Sequence, residues 1–334
     1  KGVGVAINSL LKNLSAEENV KFHILTDGFK EKSRLLVSQG DNKKLLETLA
    51  PPEFQHFTAI RFYDINTSDE LLESLPLTAN MKRRISKATY AREDIQVLLL
   101  ADLLPDYSKK RVLYLDADVV VKGADLSELL DLDLGENKIL GAVEDLVSNE
   151  SKFFFVDFWQ ERAKSRLIEY EQFLYETDGL KVIGSYFNAG VLLINLKKWR
   201  EENLFKKALE LLNEKKEEDV YFYPDQDVLN ILFKGKFKSD EIDSIARVLF
   251  LPPRYNTQYS NVAYMYYFLK WRHKEKLAKK LLNPTKGNPS IVHYCGAGTK
   301  PWHKTKLKYP KKRVEYFDEA FLNSPWKDLY LKPK

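Results

Sequence analysis

Short apolar runs alternate with longer helix-like segments along this chain of 334 residues, and no other feature limits its folds as much. The short runs predict strands at Lys21–Thr26, Ala59–Ile65, Arg111–Leu115, Ile139–Val143, Gly190–Asn195 and Ile291–His293. The longer segments predict helices at Val5–Leu11, Glu31–Leu49, Ser86–Leu104, Gln160–Tyr175, Leu204–Glu214 and Gln226–Leu232. Strands that alternate with helices are typical of an α/β fold with a parallel or mixed sheet.

The first segment of the chain has the pattern of a helix and not of a strand. Val3 to Leu11 forms an amphipathic repeat, and no strand-like apolar run precedes it. Open α/β sheets commonly begin with a strand, and they bind ligands at the carboxyl ends of their strands. We therefore expect the first strand of the sheet, and the ligand contacts that accompany it, to be missing from this chain.

Net charge, cysteine content and hydropathy exclude several classes of protein. The 53 Lys and Arg residues exceed the 48 Asp and Glu residues by a formal charge of +5, too little for a dedicated nucleic-acid-binding protein. Cys295 is the only cysteine, which excludes an intrachain disulfide and favours a reducing compartment. No apolar run reaches the roughly 18 residues that cross a bilayer, and no signal-peptide pattern is present, so we expect a cytoplasmic protein.

The positive charge is concentrated at the end of the sequence. Residues 303–334 contain nine Lys and Arg residues against four Asp and Glu residues, together with several Tyr, Phe and Trp residues. This composition divides the chain into a body, residues 1–302, and a basic, aromatic segment, residues 303–334. Such a segment is typical either of a solvated surface helix and tail or of a peripheral patch on an anionic membrane, here the inner face of the cell membrane.

Two aspartates, in Asp116-Ala117-Asp118, follow the strand-like run Arg111–Leu115 directly. Carboxylates at this spacing can bind one divalent cation, and the small Ala117 lets a ligand approach the backbone. The spacing alone is a weak signal, because the chain repeats it at Asp131-Leu-Asp133 and Asp225-Gln-Asp227. Strongly apolar runs flank the first pair on both sides, where uncompensated charge is costly, so we expect a metal site there.

A histidine ends the last strand-like run and precedes a loop with two glycines. His293 could supply an imidazole ligand to a metal, and the loop around Gly296 and Gly298 could present open backbone N–H groups. Lys300 could place an ammonium group near a phosphate. The alternative is an ordinary turn after a buried strand.

Four segments together resemble glycosyltransferase family 8, which includes bacterial lipopolysaccharide galactosyl- and glucosyltransferases and is related to glycogenin. The segments occur in the family's order between about Val3 and Trp302, and they are Asp116-Ala-Asp118, Asn188-Ala-Gly190-Val-Leu-Leu-Ile-Asn195, Tyr223-Pro-Asp225-Gln226-Asp227 and His293…Gly296…Lys300-Pro301-Trp302. The resemblance implies a GT-A fold, in which helices flank a Rossmann-like mixed sheet. It also implies retaining transfer of galactose or glucose from a UDP-sugar to a glycan acceptor hydroxyl, with Mn²⁺ or Mg²⁺, in the synthesis of lipopolysaccharide or another cell-surface glycan.

The resemblance assigns a first group of residues to the metal and the diphosphate. Asp116, Asp118 and His293 would ligate the cation. The residues that would contact the nucleotide diphosphate or the rest of the donor are Ala117, Gly296 or Gly298, Lys300 and Arg92. These residue types suit the reaction, because a cation and a lysine stabilise the negative charge that develops on a departing diphosphate.

A second group of residues would bind the transferred sugar. The resemblance places Asp145, Asn188 and Asp225 at the sugar hydroxyls and Gln226 near the anomeric carbon. No motif supplies a carboxylate in the position of a covalent nucleophile, and the amide of Gln226 is a poor one. We therefore expect the acceptor hydroxyl to attack from the face that UDP leaves.

Several of these residues have a simpler structural explanation. Asn188 is typical of a turn that enters a strand, and Asp225 is a good N-cap for the predicted helix Gln226–Leu232. Arg92 could form a salt bridge at the surface of a helix. Glu144, beside Asp145, could replace it at the sugar.

Two other functions are compatible with the same motifs. A sugar nucleotidyltransferase would share the strand-end aspartates and the metal, but its phosphate loop would lie near the start of the sheet. A non-catalytic partner of a glycosylation complex would bind the sugar nucleotide without turning it over. Released UDP with a joined hexose, released pyrophosphate, or binding without turnover would distinguish the three.

Overall fold

The computed structural model describes residues 2–14, 20–26, 58–64, 76–79, 82–83, 97–98, 100, 104, 111–123, 126–145, 187–213, 224–234, 247–258 and 289–295. The helices and strands of these residues are, in chain order, α1 (Gly2–Leu11), β1 (Val20–Thr26), β2 (Thr58–Asp64), β3 (Arg111–Leu115), β4 (Val119–Val121), α2 (Leu126–Asp131), β5 (Leu140–Glu144), β6 (Phe187–Asn195), α3 (Leu196–Glu201), α4 (Leu204–Asn213), α5 (Pro224–Lys234), β7 (Val248–Phe250), a 3₁₀ helix (Pro253–Asn256), β8 (Thr257–Gln258) and β9 (Ile291–His293).

The chain divides into two compact units, and each is described by itself. The first unit comprises Lys1–Asp64, Leu115–Asp131 and Pro252–Lys334. The second unit comprises Ile65–Tyr114 and Leu132–Leu251. The predicted boundary between residues 302 and 303 lies outside the described residues and stays a prediction.

The described part of the first unit contains a parallel strand pair and a small mixed sheet. Strands β1 and β2 pair in parallel along their whole length, from Val20 opposite Thr58 to Thr26 opposite Asp64. In the other sheet the strand order is β4-β9-β8. Strand β9 lies between its two neighbours. It pairs antiparallel with β4 and parallel with β8.

Side chains of α1 bind the backbone of β4. Ser9 Oγ accepts a hydrogen bond from the Val121 N–H at 3.0 Å and donates one to the Ala6 carbonyl at 2.9 Å. Asn13 Nδ2 donates to the carbonyl oxygens of Val121, at 3.1 Å, and of Ser9, at 2.7 Å. Because buried backbone groups must be paired, these two side chains fix the position of β4 against the helix.

The second unit is built on a four-stranded mixed sheet with the order β3-β6-β5-β7. Strand β5 runs antiparallel to β6 and parallel to β7. Every residue of β6 from Phe187 to Ile194 is buried, which explains its almost continuous apolar sequence. Trp199 of α3 and Phe233 of α5 belong to the same core, with their ring centroids 5.5 Å apart.

The predicted mixed α/β organisation is confirmed, and each predicted strand is present. Strand β6 begins at Phe187, three residues before the predicted start at Gly190, because Phe187 still pairs with Glu144 of β5. Strands β4, β7 and β8 have only two or three residues each, too few for a periodic pattern. The predicted helices Glu31–Leu49 and Gln160–Tyr175 lie outside the described residues.

The N-cap role predicted for Asp225 is wrong. Helix α5 begins at Pro224, so Asp225 lies in the first helical turn. Proline is favoured at the first helical position because its ring already fixes a helical φ and because the N–H that it lacks would be unpaired there. Asp225 is still close to the positive end of the helix dipole, which favours a carboxylate.

None of the helices in the described part of the chain has the length and apolar character that a membrane crossing needs.

Asn230 of α5 links the helix to the start of β6. Its Oδ1 accepts a hydrogen bond from the Phe187 N–H, and its Nδ2 donates to the Phe187 carbonyl, both at 2.9 Å. The same Nδ2 also donates to the carbonyl of Gln226 at 2.8 Å. One buried amide thus pairs three backbone groups.

We expect Asn230→Leu to lower the free energy of unfolding by about 2–4 kcal/mol, because it leaves these buried backbone groups without their partner. Urea denaturation followed by circular dichroism measures the loss. Asn137→Leu, at an exposed turn position, is the matched control and should change the stability by less than about 0.5 kcal/mol. Equal stability of the two variants would contradict the assigned role.

Candidate active site

The turn between β3 and β4 contains the paired aspartates. Asp118 is buried, with 4% of its side chain exposed, while Asp116 remains 38% exposed and Ala117 is exposed. The Asp118 carbonyl accepts a hydrogen bond from the Tyr294 N–H at 3.0 Å. This bond joins the turn to the residue that follows β9, so it fixes the turn at its second aspartate.

His293 lies beside both aspartates. Strand pairing sets Val119 opposite His293, which brings the imidazole next to the turn that precedes β4. His293 Nε2 is 3.3 Å from Asp118 Oδ1 and 3.5 Å from Asp116 Oδ2. One oxygen from each carboxylate and one imidazole nitrogen all lie within 4.8 Å of one another, so the predicted ligand set is assembled.

The environment of His293 changes its affinity for a proton. Burial is the largest influence and by itself lowers the pKa, because it disfavours the charged imidazolium. The negative charge of Asp118, the polar contacts of both aspartates and the charge of Asp116 outweigh burial and raise the pKa to about 9. Without a cation, this pairing stabilises the fold below the ordinary pKa of 6.5, and the contribution is lost as the pH rises through about 9.

The three side chains fit a divalent cation. Among the described residues, the buried Nε2 of His293 has no well-aligned hydrogen-bond partner, although two carboxylate oxygens lie nearby. A cation would use the lone pair of Nε2 and would neutralise the two carboxylates. Two carboxylates and one imidazole are ligands that suit Mn²⁺ better than a soft metal.

A second polar cluster lies in the second unit and contains Asp145, Asn188 and Gln226. All three side chains are buried. Asp145 Oδ2 accepts hydrogen bonds from Asn188 Nδ2 at 3.0 Å and from Gln226 Nε2 at 3.4 Å. The structure therefore brings together three of the four residues that sequence predicted at the transferred sugar.

Backbone hydrogen bonds orient the two amides of this cluster. Asn188 Oδ1 accepts from the Gly190 N–H at 3.0 Å, and Gln226 Oε1 accepts from the Ala189 N–H at 2.8 Å. Because the oxygens are committed to N–H donors, the amide nitrogens must point toward the carboxylate of Asp145. The orientation of both side chains follows from the hydrogen-bond pattern itself.

The structure tests two of the simpler explanations, namely Asn188 as a turn residue and Glu144 in place of Asp145. Asn188 lies inside β6, so the prediction of a turn residue is wrong. Glu144 is exposed while Asp145 is buried in the cluster, so Glu144 does not replace it there. Asp225, in the first turn of α5, is half-buried. The remaining predicted residues lie outside the described part of the chain, namely Arg92, Gly296, Gly298 and Lys300.

Sequence reasoning missed two buried asparagines that contact predicted site residues. Asn230 binds the Gln226 carbonyl as described above, and Asn256 Oδ1 lies 3.0 Å from His293 Nδ1. Asn230 has one weak signal, because it lies four residues after Gln226 and therefore on the same side of α5. Asn256 has no comparable signal.

The family model of glycosyl transferase family 8 matches residues 1–306. The match covers most of the chain, and the protein belongs to glycosyltransferase family 8. A crystal structure of galactosyltransferase LgtC in complex with donor and acceptor sugar analogues has a TM-score of 0.53 and 29% identity, covering 99% of this chain and 94% of that chain. The predicted GT-A fold is thereby confirmed.

Two sequence relatives narrow the class of enzyme. A lipopolysaccharide 1,2-glucosyltransferase of Escherichia coli K12 is 36% identical over 327 residues, which cover 98% of this chain and 75% of that enzyme. A lipopolysaccharide 1,3-galactosyltransferase of Salmonella typhimurium LT2 is 34% identical over 325 residues, covering 97% of this chain and 75% of that enzyme. The protein is thus a family 8 glycosyltransferase whose relatives bear the names of different hexoses.

We expect divalent cations and protons to compete for His293. A cation needs the Nε2 lone pair, which is protonated below the pKa of about 9, so binding must release a proton. The affinity for Mn²⁺ should therefore fall by about tenfold for each unit of pH below that value. Titrations of the metal at several pH values between about 6 and 8 measure this slope.

The control for this titration is His293→Gln. Its amide oxygen has no proton to lose in this range, so its weaker binding should vary much less with pH. An affinity of the unmodified chain that stays constant across the range would contradict the assignment of Nε2 as a ligand.

Proposed function

We propose that this protein transfers glucose or galactose from a UDP-sugar to a hydroxyl group of a glycan acceptor, with retention of the anomeric configuration. The acceptor belongs to lipopolysaccharide or to another cell-surface glycan. The observation that supports the proposal most is the cluster of Asp116, Asp118 and His293, because its three ligand atoms lie close enough to hold one cation and the chain belongs to this family.

The first step of the proposal concerns the leaving group. Asp116, Asp118 and His293 would hold Mn²⁺, or Mg²⁺ in its place, and Lys300 would lie at the diphosphate. When bound, the cation would stabilise the negative charge that develops on the departing UDP. Asp116 remains partly exposed while Asp118 and His293 are buried, so we expect a diphosphate to approach the ligand set from the side of Asp116.

The second step concerns the sugar. Asp145 accepts hydrogen bonds and the amides of Asn188 and Gln226 donate them, which matches sugar hydroxyls because these both donate and accept. The bond between the anomeric carbon and the diphosphate oxygen breaks, and a bond to the acceptor oxygen forms on the same face. The acceptor hydroxyl gives its proton to the departing diphosphate oxygen or to solvent, and UDP and the new glycoside are the products.

The choice of donor rests on the relatives. The Escherichia coli relative is named a glucosyltransferase and the Salmonella relative a galactosyltransferase, and both names refer to lipopolysaccharide. Glucose and galactose differ in the orientation of one hydroxyl, and single pocket contacts contribute about 1–3 kcal/mol to such a choice. Both UDP-glucose and UDP-galactose are therefore the donors to test.

We expect Asp116→Asn and Asp118→Asn to lower metal-dependent hexose transfer at least about 100-fold, because each removes a charged ligand of the cation. The assay incubates the full chain with Mn²⁺, each UDP-sugar and a truncated lipopolysaccharide acceptor, and it measures released UDP and joined hexose.

The chain provides its own control in its second pair of aspartates at the same spacing. Asp131→Asn and Asp133→Asn change the same residue type, and neither residue belongs to the metal cluster. Both should retain transfer activity. Turnover that survives Asp116→Asn and Asp118→Asn would overturn the proposed role of the cluster, and release of pyrophosphate instead of UDP would indicate nucleotidyl transfer.

We also propose that residues 303–334 bring the enzyme to an anionic membrane surface. The support is the sequence alone, with nine basic residues and several aromatic residues in this segment. Lysines near an anionic bilayer each contribute about 1 kcal/mol to binding, and Trp and Tyr favour the interface.

Sedimentation with anionic vesicles tests whether residues 303–334 bind an anionic membrane. The triple variant Lys308→Ser, Lys311→Ser and Lys312→Ser should bind the vesicles about 100-fold more weakly than the unmodified chain. Lys197→Ser, Lys206→Ser and Lys207→Ser remove equal charge from exposed positions of α3 and α4 and should bind as the unmodified chain does. Equal loss in both triple variants would show a general charge effect and would overturn the proposal.

A further inference from the structure

The second nitrogen of the His293 imidazole has a buried partner. Nδ1 lies 3.0 Å from Oδ1 of Asn256, the last residue of the 3₁₀ helix. Asn256 is 1% exposed, so water does not compete for this contact. The imidazole is therefore held from one side by an amide and contacted from the other by the two carboxylates.

Asn256 occupies a well-fixed position. The 3₁₀ helix is tied to the start of β9 by a hydrogen bond from the Ser290 N–H to the Arg254 carbonyl at 2.9 Å. Thr257 Oγ1, directly after Asn256, donates to the Pro253 carbonyl at 3.1 Å. Strand β8 then continues beside β9, with Gln258 opposite His293. The backbone before and after Asn256 is thus hydrogen-bonded to β9 or to the residue that precedes it, so Asn256 is held close to His293.

The contact determines which imidazole nitrogen holds a proton. An amide oxygen only accepts hydrogen bonds, so Nδ1 must be the donor. In the neutral imidazole this leaves the lone pair on Nε2, which is the nitrogen that points toward Asp116 and Asp118. A hydrogen bond at the other nitrogen is a general way to fix the tautomer and the orientation of a metal-binding histidine.

We propose that Asn256 is a positioning residue, which holds the His293 imidazole so that its Nε2 lone pair is available to a divalent cation. The proposal rests on the metal site put forward under the proposed function. Asn256 itself would not touch the cation, because its oxygen is on the opposite side of the ring.

Binding of Mn²⁺ to the full chain, measured by the electron paramagnetic resonance signal of the free ion, tests this role without any catalytic assay. Asn256→Leu should bind Mn²⁺ about 10- to 100-fold more weakly than the unmodified chain. Asn256→Asp keeps an oxygen acceptor for Nδ1 and should bind Mn²⁺ as tightly as the unmodified chain or more tightly. Asn137→Leu, the same substitution at an exposed turn position, is the matched control, and it should leave the affinity unchanged.

The results of these binding measurements distinguish a failure of the positioning role from a failure of the metal site. If Asn256→Leu remains folded and binds Mn²⁺ as the unmodified chain does, the positioning role is overturned while the metal site stands. If the unmodified chain binds no Mn²⁺, the proposed metal site fails, and the positioning role fails with it. A folded Asn256→Asp variant that loses affinity as Asn256→Leu does would also overturn the role, because the acceptor oxygen would then be irrelevant.

Nuclear magnetic resonance of the unmodified chain gives a test that does not depend on the folding of a variant. With histidine labelled by ¹⁵N and the diamagnetic Zn²⁺ bound, Nδ1 of His293 should show the signal of a protonated nitrogen and Nε2 that of a metal-bound one. The resonances are assigned by their loss in His293→Gln. An unprotonated Nδ1 in the metal-bound chain would overturn the proposal.

Discussion

The antiparallel pairing of β4 with β9 determines where the charges of the first unit lie. Val119 opposite His293 brings the imidazole against the turn that contains Asp116 and Asp118. Two carboxylates and an imidazole in a mostly buried position are costly unless their charges are balanced. A proton on His293 offsets one of the two negative charges, and a divalent cation would balance both. The strand register therefore creates both the site and its requirement for positive charge.

In the second unit, amide side chains rather than charged groups pair the buried polar atoms. The backbone N–H groups of Phe187, Ala189 and Gly190 are each bound by the side-chain oxygen of an asparagine or glutamine. Asn230 and Gln226 come from α5, whereas Asn188 belongs to β6 itself. The start of β6 is therefore held by side chains of the candidate site, so the packing of α5 and the geometry of the site depend on the same hydrogen bonds.

Sequence predicted those parts of the fold and site that leave a local pattern. Asp116, Asp118 and the strand before them form such a pattern, and His293 could be added because it ends another apolar run. Asn256 could not be found in this way, because its role depends on how β8 lies beside β9, and β8 has only two residues. A two-residue strand has no periodicity from which its neighbour could be inferred.

Helix α5 also has features that its local sequence pattern could not predict. Its apolar repeat predicted a helix, but the repeat could not show that Asn230, on the buried side, pairs with the backbone of β6. Asp225 was predicted to be the N-cap because aspartate is favoured there, whereas the helix begins at Pro224, two residues before the predicted start at Gln226. The preference of aspartate for helix N-termini therefore located the first turn of α5 correctly, but it assigned Asp225 to the wrong position in that turn.

The hydrogen bonds around Asp145 explain why amides occupy positions 188 and 226. Each of these side chains accepts from a backbone N–H and also donates to the Asp145 carboxylate, and an amide has both an acceptor and a donor at the same end. A glutamate at position 226 could still accept from Ala189, but it would place a second negative charge against Asp145 in a buried cluster. The cluster therefore favours a neutral side chain at the position expected nearest the anomeric carbon. That preference agrees with a transfer in which the acceptor hydroxyl, and not a carboxylate of the enzyme, forms the new bond.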